Sequence, residues 1–322
     1  MTRNLLRRIC AAASVLAAGG AAGQGYPDRP IRFIVPFAPG GTNDIVARLS
    51  GAKLAEKLNQ SVVVDNRGGA NAVIGTEIAA RSPPDGYTLL MVNINFAINP
   101  AMMGKLPYDA LRDFAPISLL ATSPTVLVAH PALPVASVAE LVTYVKGNPG
   151  KLNYSTSGSG SSTHIPMELL IAMTGMQMVP IHYKGGGPAL IDLLSGRVPL
   201  GFTTILSVQQ HLKSNRLRAL AVSSASRSAS LPNVPTVAES GVPGYEFVGW
   251  WGVVAPAGTP AAVINRLNAE FVKVQREPFM AEHLGQEGAE PRTATPVEFA
   301  AFLRAETAKW GKVARDKHLR FE

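Results

Sequence analysis

Apolar runs separated by turn signals recur along the first two thirds of the chain, and several are apolar on both faces. Ile31–Val35, Val62–Val64, Tyr87–Val92, Thr125–Ala129, Val179–His182, Leu200–Phe202 and Leu217–Val222 read as strands. Continuous rather than alternating hydrophobicity is the signature of parallel strands covered by helices on both sides. Helical stretches fall between them: Thr42–Leu58 after the first strand, Ser162–Thr174 after Leu152–Tyr154, and Pro188–Leu194 with Gly196 beyond its end. Strand–helix alternation predicts doubly wound α/β sheets. The last third differs. Ile264, Leu267, Phe271 and Val274 within Pro260–Glu277, and Phe299, Leu303, Trp310 and Val313 within Pro296–Arg315, recur at helical spacing. These predict two long amphipathic helices packed onto an existing core, not a separate domain. The polar, turn-rich stretch Ser223–Pro235 reads as a crossing between lobes.

Composition narrows the class. Of 322 residues, 47% are hydrophobic and only 16% charged, which excludes a disordered chain and a coiled coil, while 30 Gly and 25 Pro suit many strands and tight turns. At the N-terminus Arg3, Arg7 and Arg8 precede an apolar stretch, Ile9–Ala22, that closes on small residues. This pattern predicts a secretory signal peptide over residues 1–23, cleaved near Gln24; the stretch is too short and too Ala- and Gly-rich to anchor in a membrane. Cleavage lowers the net charge from +8 to +5 (27 basic against 22 acidic residues) and removes the only cysteine, Cys10. The exported chain then holds no disulfide and relies on its core. Scattered basic residues and export together argue against nucleic acid as a partner.

Searches for catalytic chemistry fail on spacing. The histidines His130, His164, His182, His211, His283 and His318 include no helical zinc pair. No serine in Ser155–Ser162 has the flanking glycines of a nucleophile elbow, and Thr163 stands where a dinucleotide fingerprint needs its third glycine after Gly158 and Gly160. Lys184 precedes Gly185-Gly186-Gly187, the reverse of a phosphate loop. The expectation is no catalytic site, no metal and no cofactor. Two glycine-rich turns that feed helix starts remain: Pro36–Asp44 and Tyr154–His164. Small residues admit a ligand to the backbone, and the free N–H groups of a helix start favour an anion; ordinary turn chemistry is the competing explanation.

Many short stretches in order resemble the Bug family, the periplasmic solute-binding proteins of tripartite tricarboxylate transporters. They include Tyr26-Pro27, Pro36–Arg48, Val62–Gly69, Pro84–Leu90, Leu106–Asp109, Asp113-Phe114, Ser155–His164 and Tyr183–Gly185. Leu217–Val222, Leu231–Thr236, Pro243–Tyr245, Ala255–Pro260 and Thr295-Pro296 continue the series across nearly all of the mature chain. The resemblance implies a type II periplasmic binding protein fold, two α/β lobes that close on a small carboxylate. Lobe I is expected over 24–124 and 225–322, lobe II over 125–224. Membrane permease subunits are the implied partners, with a sensing role as the main variant; an exported enzyme and a regulatory module are further alternatives.

Carried across, the carboxylate-holding candidates are Gly40, Gly41, Thr42, Ser157, Gly158, Ser159, Gly160 and Ser161. Selectivity is expected from Asn93 and Asn95 after one strand end and from Thr203 and Thr204 after another. His164 is read as capping or packing the helix start, or else as a ligand donor; Lys184 as a charge at the cleft rim or a solvated lysine. Trp250 and Trp251 are expected in the core near the hinge, with ligand stacking as the alternative. Three departures from the family pattern stand out. Gly69-Ala70-Asn71-Ala72 is poorer in glycine than usual, Gln209-Gln210 replaces a proline expected to precede a helix, and the tail Ala314–Glu322 differs.

Overall fold

The computed structural model describes residues 25–158, 161–183, 185–286 and 289–317. The expected signal peptide, Ser159, Gly160, Lys184 and the end of the divergent tail lie outside them. Along the chain run β1 (Ile31–Val35), α1 (Thr42–Leu58), β2 (Val62–Asn66), α2 (Val73–Ala80), β3 (Thr88–Asn93), α3 (Ile94–Met102) and β4 (Phe114–Ser123). There follow β5 (Thr125–Ala129), α4 (Val138–Gly147), β6 (Asn153–Thr156), α5 (Ile165–Thr174), β7 (Val179–His182), α6 (Gly186–Ser195), β8 (Leu200–Thr204), α7 (Ile205–Lys213) and β9 (Arg218–Val222). The chain ends with β10 (Gly249–Pro256), α8 (Ala261–Gln275), α9 (Pro278–Gln286), β11 (Glu290–Pro291) and α10 (Pro296–Lys317).

Two sheets result. The first has the order β11-β4-β10-β3-β1-β2 and the second β7-β6-β8-β5-β9. Strands joined through a helix, such as β1 with β2 and β3, or β6 with β7, pair in parallel. Neither sheet is wholly parallel, however. β10 lies antiparallel between β3 and β4, and β5 lies antiparallel between β8 and β9. Both of these strands arrive from the other sheet, so no crossover helix dictates their direction. The hydrophobic runs showed burial on both faces, and burial does not distinguish the two directions. β10 itself is buried at every position yet was not among the strands expected, because its residues occurred within the tryptophan stretch read as core.

The chain passes from first sheet to second at Ser123–Thr125 and returns after β9. The two crossings are joined: Ser223 Oγ accepts the Thr125 N–H at 2.9 Å and lies 2.9 Å from Thr125 Oγ1, all buried. The terminal helices pack as their spacing predicts, with Ile264, Leu267, Phe271 and Val274 buried on α8 and Phe299, Leu303 and Trp310 buried on α10. Gly252 of β10 leaves room for the Phe299 ring; a Cβ there would stand 2.1 Å from Phe299 Cζ. Gln209-Gln210 lies inside α7, which begins at Ile205, so the pair opens no helix.

Candidate functional site

Both glycine-rich turns follow strand ends, β1 in the first sheet and β6 in the second, and meet at one cavity of about 300 Å³. Gly41, Thr42 and Asn43 line it from the first turn, Ser157, Gly158, Ser161 and Ser162 from the second. Asn71, Asn93 and Asn95 add polar groups beside the first turn, Gly185 and Gly186 beside the second, and Trp250 and Trp251 close the wall between them. Three larger hollows, of about 500, 640 and 460 Å³, are lined by Leu106–Asp113 with Pro100, Gly104 and Thr307, by Pro36–Pro39 with Gly68, Gly69, Asn71 and neighbours, and by Ala139, Val142 and Lys146 of α4 with Met173, Thr174 and Ser240–Pro243. None is lined by both turns. Among the described lining residues of the inter-sheet cavity, none is charged.

The first turn is held from below. Asp44, buried to 3% exposure, accepts the Gly40 N–H at 2.9 Å, the Arg48 guanidinium at 2.9 Å and the Asn66 amide at 2.9 Å. Burial alone raises its pKa, but these three donors outweigh it and hold the carboxyl below its usual range. Helical bonding begins only when Asp44 and Ile45 N–H reach Gly41 C=O, so the N–H groups of Thr42 and Asn43 precede the first turn's bonds. Gly41 is the N-cap, and its lack of a side chain leaves that end of α1 uncapped and open to the cavity.

The second turn is a hydroxyl relay. Thr163 Oγ1, buried, accepts the Ser157 N–H at 2.7 Å and lies 2.9 Å from Ser157 Oγ and 3.0 Å from Ser161 Oγ. Gly158 adopts φ +132°, a region in which a side chain is strained, and donates its N–H to Thr156 Oγ1 at 3.2 Å. Under the turn, Thr156 Oγ1 meets His182 Nδ1 at 2.8 Å; the His182 ring packs edge-on against His164, 4.8 Å away. His164 Nε2 lies 3.5 Å from Glu168 Oε1, which also accepts the Tyr154 hydroxyl. Burial raises the Glu168 pKa, but hydrogen bonds from His164 and Tyr154 bring it below its ordinary value; burial and the neighbouring His164 push His182 down. No group of three His, Cys, Asp or Glu arranged to hold a metal ion occurs among the described residues.

The expected residues therefore divide. Gly41, Thr42, Asn93, Asn95, Ser157, Gly158 and Ser161 come together around the cavity. Gly40 shapes the first turn with φ +87° and is exposed. His164 is buried beneath the second turn, stacked on Tyr154, and acts as packing and hydrogen-bonding support. Thr203 and Thr204 direct their hydroxyls to Ser207 Oγ, each at 3.0 Å, and are not among the lining residues. Trp250 and Trp251 are buried in the core, as expected, but their neighbouring positions on β10 send the indoles to opposite faces. Trp250 donates to Glu306 at 3.1 Å, and Trp251 to Asn43 at 2.9 Å.

Asn43 and Asn71 were missed. Asn43 stood within the quoted first turn, between residues whose roles were easier to read. Asn71 sits in the segment noted for lacking glycine, where Ala70, Asn71 and Ala72 take φ of 45°, 52° and 75° in succession. A departure from glycine at positions that keep left-handed geometry was the available signal.

Against known proteins, residues 46–319 match the model of the tripartite tricarboxylate transporter family receptor. The chain belongs to that family. BugT of Bordetella pertussis is 39% identical over 293 residues, covering 90% of each chain. Among solved structures, Rpa4515 of R. palustris with adipate superposes with TM-score 0.79 at 36% identity, covering 92% of this chain and 99% of that one. MatC from Rhodopseudomonas palustris with bound malate superposes at 0.77 with 30% identity, covering 89% and 99%. As a member of this receptor family, the chain has the type II periplasmic binding protein fold, its two sheets forming the two α/β lobes. No helix among its described residues is long and apolar enough to cross a membrane.

Proposed function

We propose that this protein is a periplasmic solute-binding protein that captures a small organic carboxylate between two closing lobes and presents it to tripartite tricarboxylate-type membrane subunits. The observation that carries the reading is the cavity itself: two helix-start turns, one from each sheet, facing one space of about 300 Å³ with no charged lining residue among those described. Backbone N–H groups at helix starts stabilise an anion without a counter-charge, so a carboxylate fits and a cation does not. Gly41, Thr42, Ser157, Gly158 and Ser161 hold the carboxylate, and Ser159, Gly160 and Lys184 are further candidate contacts. Residues 24–124 and 225–322 form lobe I, 125–224 lobe II, and the joined crossings at Thr125 and Ser223 are the hinge. Closure buries the ligand and forms the face that the membrane subunits read. The acids carried by the two Rhodopseudomonas neighbours support a carboxylate ligand. Export on the N-terminal signal places the protein in the periplasm.

Thermal melting of residues 24–322, unfolded and refolded to remove any bound solute, tests this against di- and tricarboxylates, acidic amino acids and aromatic acids. An acid at about 100 times its dissociation constant adds about 2.7 kcal/mol of stability. A melting rise of several degrees with one class of acid is the expected result, and no rise with any acid overturns the reading.

A further inference from the structure

The wall of the cavity built by the first sheet is made of asparagine side chains whose orientations are chemically determined. Trp251 Nε1–H can only donate, so the Asn43 atom that it meets at 2.9 Å is Oδ1. The same Oδ1 accepts the Asn93 amide at 3.1 Å, while Asn93 Oδ1 accepts the Asn95 backbone N–H at 3.0 Å. A second anchor fixes the other half. The Asn71 carbonyl can only accept, so Asn99 turns its Nδ2 toward it, at 2.8 Å. Asn99 Oδ1 then accepts Asn71 Nδ2 at 3.1 Å, and Asn71 Oδ1 accepts Asn95 Nδ2.

Following these bonds to their ends shows what is left for a ligand. Asn43 keeps its whole amide NH₂ group without a partner among the described residues, and Asn93, Asn71 and Asn95 each keep a second N–H. The one amide oxygen outside the network is Asn95 Oδ1, on a side chain buried to 4% exposure. The nearest carboxylate, Asp44, is occupied by Gly40, Arg48 and Asn66. No acid lines the cavity among the described residues.

We propose that Asn43, locked by Trp251 and Asn93, is the selectivity residue of the cleft: its amide NH₂ receives a second acceptor group of the ligand, a further carboxylate, and rejects an ammonium group. The inference rests on the carboxylate-binding reading above and narrows it to acids bearing two carboxylates and no amine at the end facing the asparagine wall. An ammonium there would meet N–H groups and lose its own hydrogen bonds on burial.

Calorimetric titration of the refolded protein with matched pairs tests it: succinate against β-alanine, glutarate against 4-aminobutyrate, and adipate against 5-aminopentanoate. Each pair differs only in whether the far end is a carboxylate or an ammonium. The dicarboxylate of the best-fitting length is expected to bind about 10- to 100-fold tighter than its amine partner. In Asn43→Asp, which keeps the acceptor toward Trp251 and Asn93, the preference is expected to shrink about 100-fold or reverse. Equal affinity within the pairs, with carboxylates still bound, overturns the inference and leaves the carboxylate reading intact. Binding of no acid at all overturns both. An unchanged preference in Asn43→Asp, or in Asn43→Ser where the first variant fails to fold, overturns the assignment to Asn43.

Discussion

On the lobe I wall of the cleft, beside the Thr42 hydroxyl, the polar side chains are carboxamides joined in a network anchored by neighbours whose hydrogen bonds run only one way; on the lobe II wall they are hydroxyls. Asn43 is held by an indole N–H at 2.9 Å and Asn99 by a backbone carbonyl at 2.8 Å. Ser157, Ser161 and Thr163 share hydrogen bonds of 2.9 and 3.0 Å in which either oxygen can donate. A carboxamide cannot exchange its donor and acceptor ends without breaking the network, whereas a hydroxyl rotates to suit its partner. Under the proposal the two walls take different tasks: the two turns hold one carboxylate, whose pose the rotatable hydroxyls accommodate, and the asparagine amides discriminate at the other end. Their supports differ too. A buried carboxylate knits the first turn, and a His–Glu–Tyr cluster underlies the second.

The largest expected effect falls on the hydroxyl wall. Gly158→Val places a β-branched residue at φ +132°, so the turn must rearrange; affinity for every acid is expected to fall about 100-fold and stability by about 1–3 kcal/mol. Retained affinity in titration calorimetry would show that this turn holds no ligand. Next come two substitutions that separate the walls. Trp251→Phe releases Asn43, and affinity is expected to fall about 10-fold together with the preference for dicarboxylates. Thr163→Val orphans the Ser157 N–H; it is expected to lower stability by about 1–3 kcal/mol and weaken all acids alike, leaving the preference unchanged. If both variants move affinity and preference in the same way, the division of labour is wrong.

Of the titratable groups beneath the two walls, His182 and Glu168 in lobe II and Asp44 in lobe I have pKa values lowered in the fold. The His182 pKa is depressed in the fold, so the unfolded chain takes up that proton first and stability falls as pH drops below about 6.5. Glu168 and Asp44 are also depressed, so their contributions, present above about 4.5, are lost as pH falls through their folded values. Melting temperature is thus expected to decline below pH 6.5 and more steeply below 4.5. In His182→Asn the upper part of the decline is expected to disappear, and its persistence would assign it elsewhere. The smallest effect is a gain. Ala70 is exposed with φ 45° in a run of three left-handed residues, and Ala70→Gly is expected to raise stability by about 0.5 kcal/mol, less than the full left-handed penalty because glycine also loosens the unfolded chain. A lowered melting temperature would mean that the segment is not strained.

Much of this arrangement could be read before any coordinates. The apolar run Ile31–Val35 and the stretch Thr42–Leu58 became strand and helix with those bounds, because continuous burial and a clear helix start are local signals. β10 and β4 were harder. Their placement depends on strands arriving from the other sheet, and β4 carries Pro116 and Ser118 that break an apolar run. In the site, Gly41 and Gly158 stand in glycine-rich turns that feed helix starts, a pattern legible in the sequence although ordinary turn chemistry also produces it. Asn43 and Asn71 were not legible, since a carboxamide takes its meaning from what lies opposite it. For Asn43 that partner is Trp251, 208 positions away. Thr203 and Thr204 show the converse: a strand end points toward a cleft, but both hydroxyls bond Ser207 Oγ and neither residue lines the cavity.

The most direct test of a carboxylate held between the two walls is titration calorimetry of refolded residues 24–322 with succinate, glutarate and adipate, repeated on Gly158→Val. One-to-one saturable binding of at least one of these acids, weakened about 100-fold by the substitution, is the predicted result. Absence of saturable heat with all three, or binding that Gly158→Val leaves unchanged, would contradict the account.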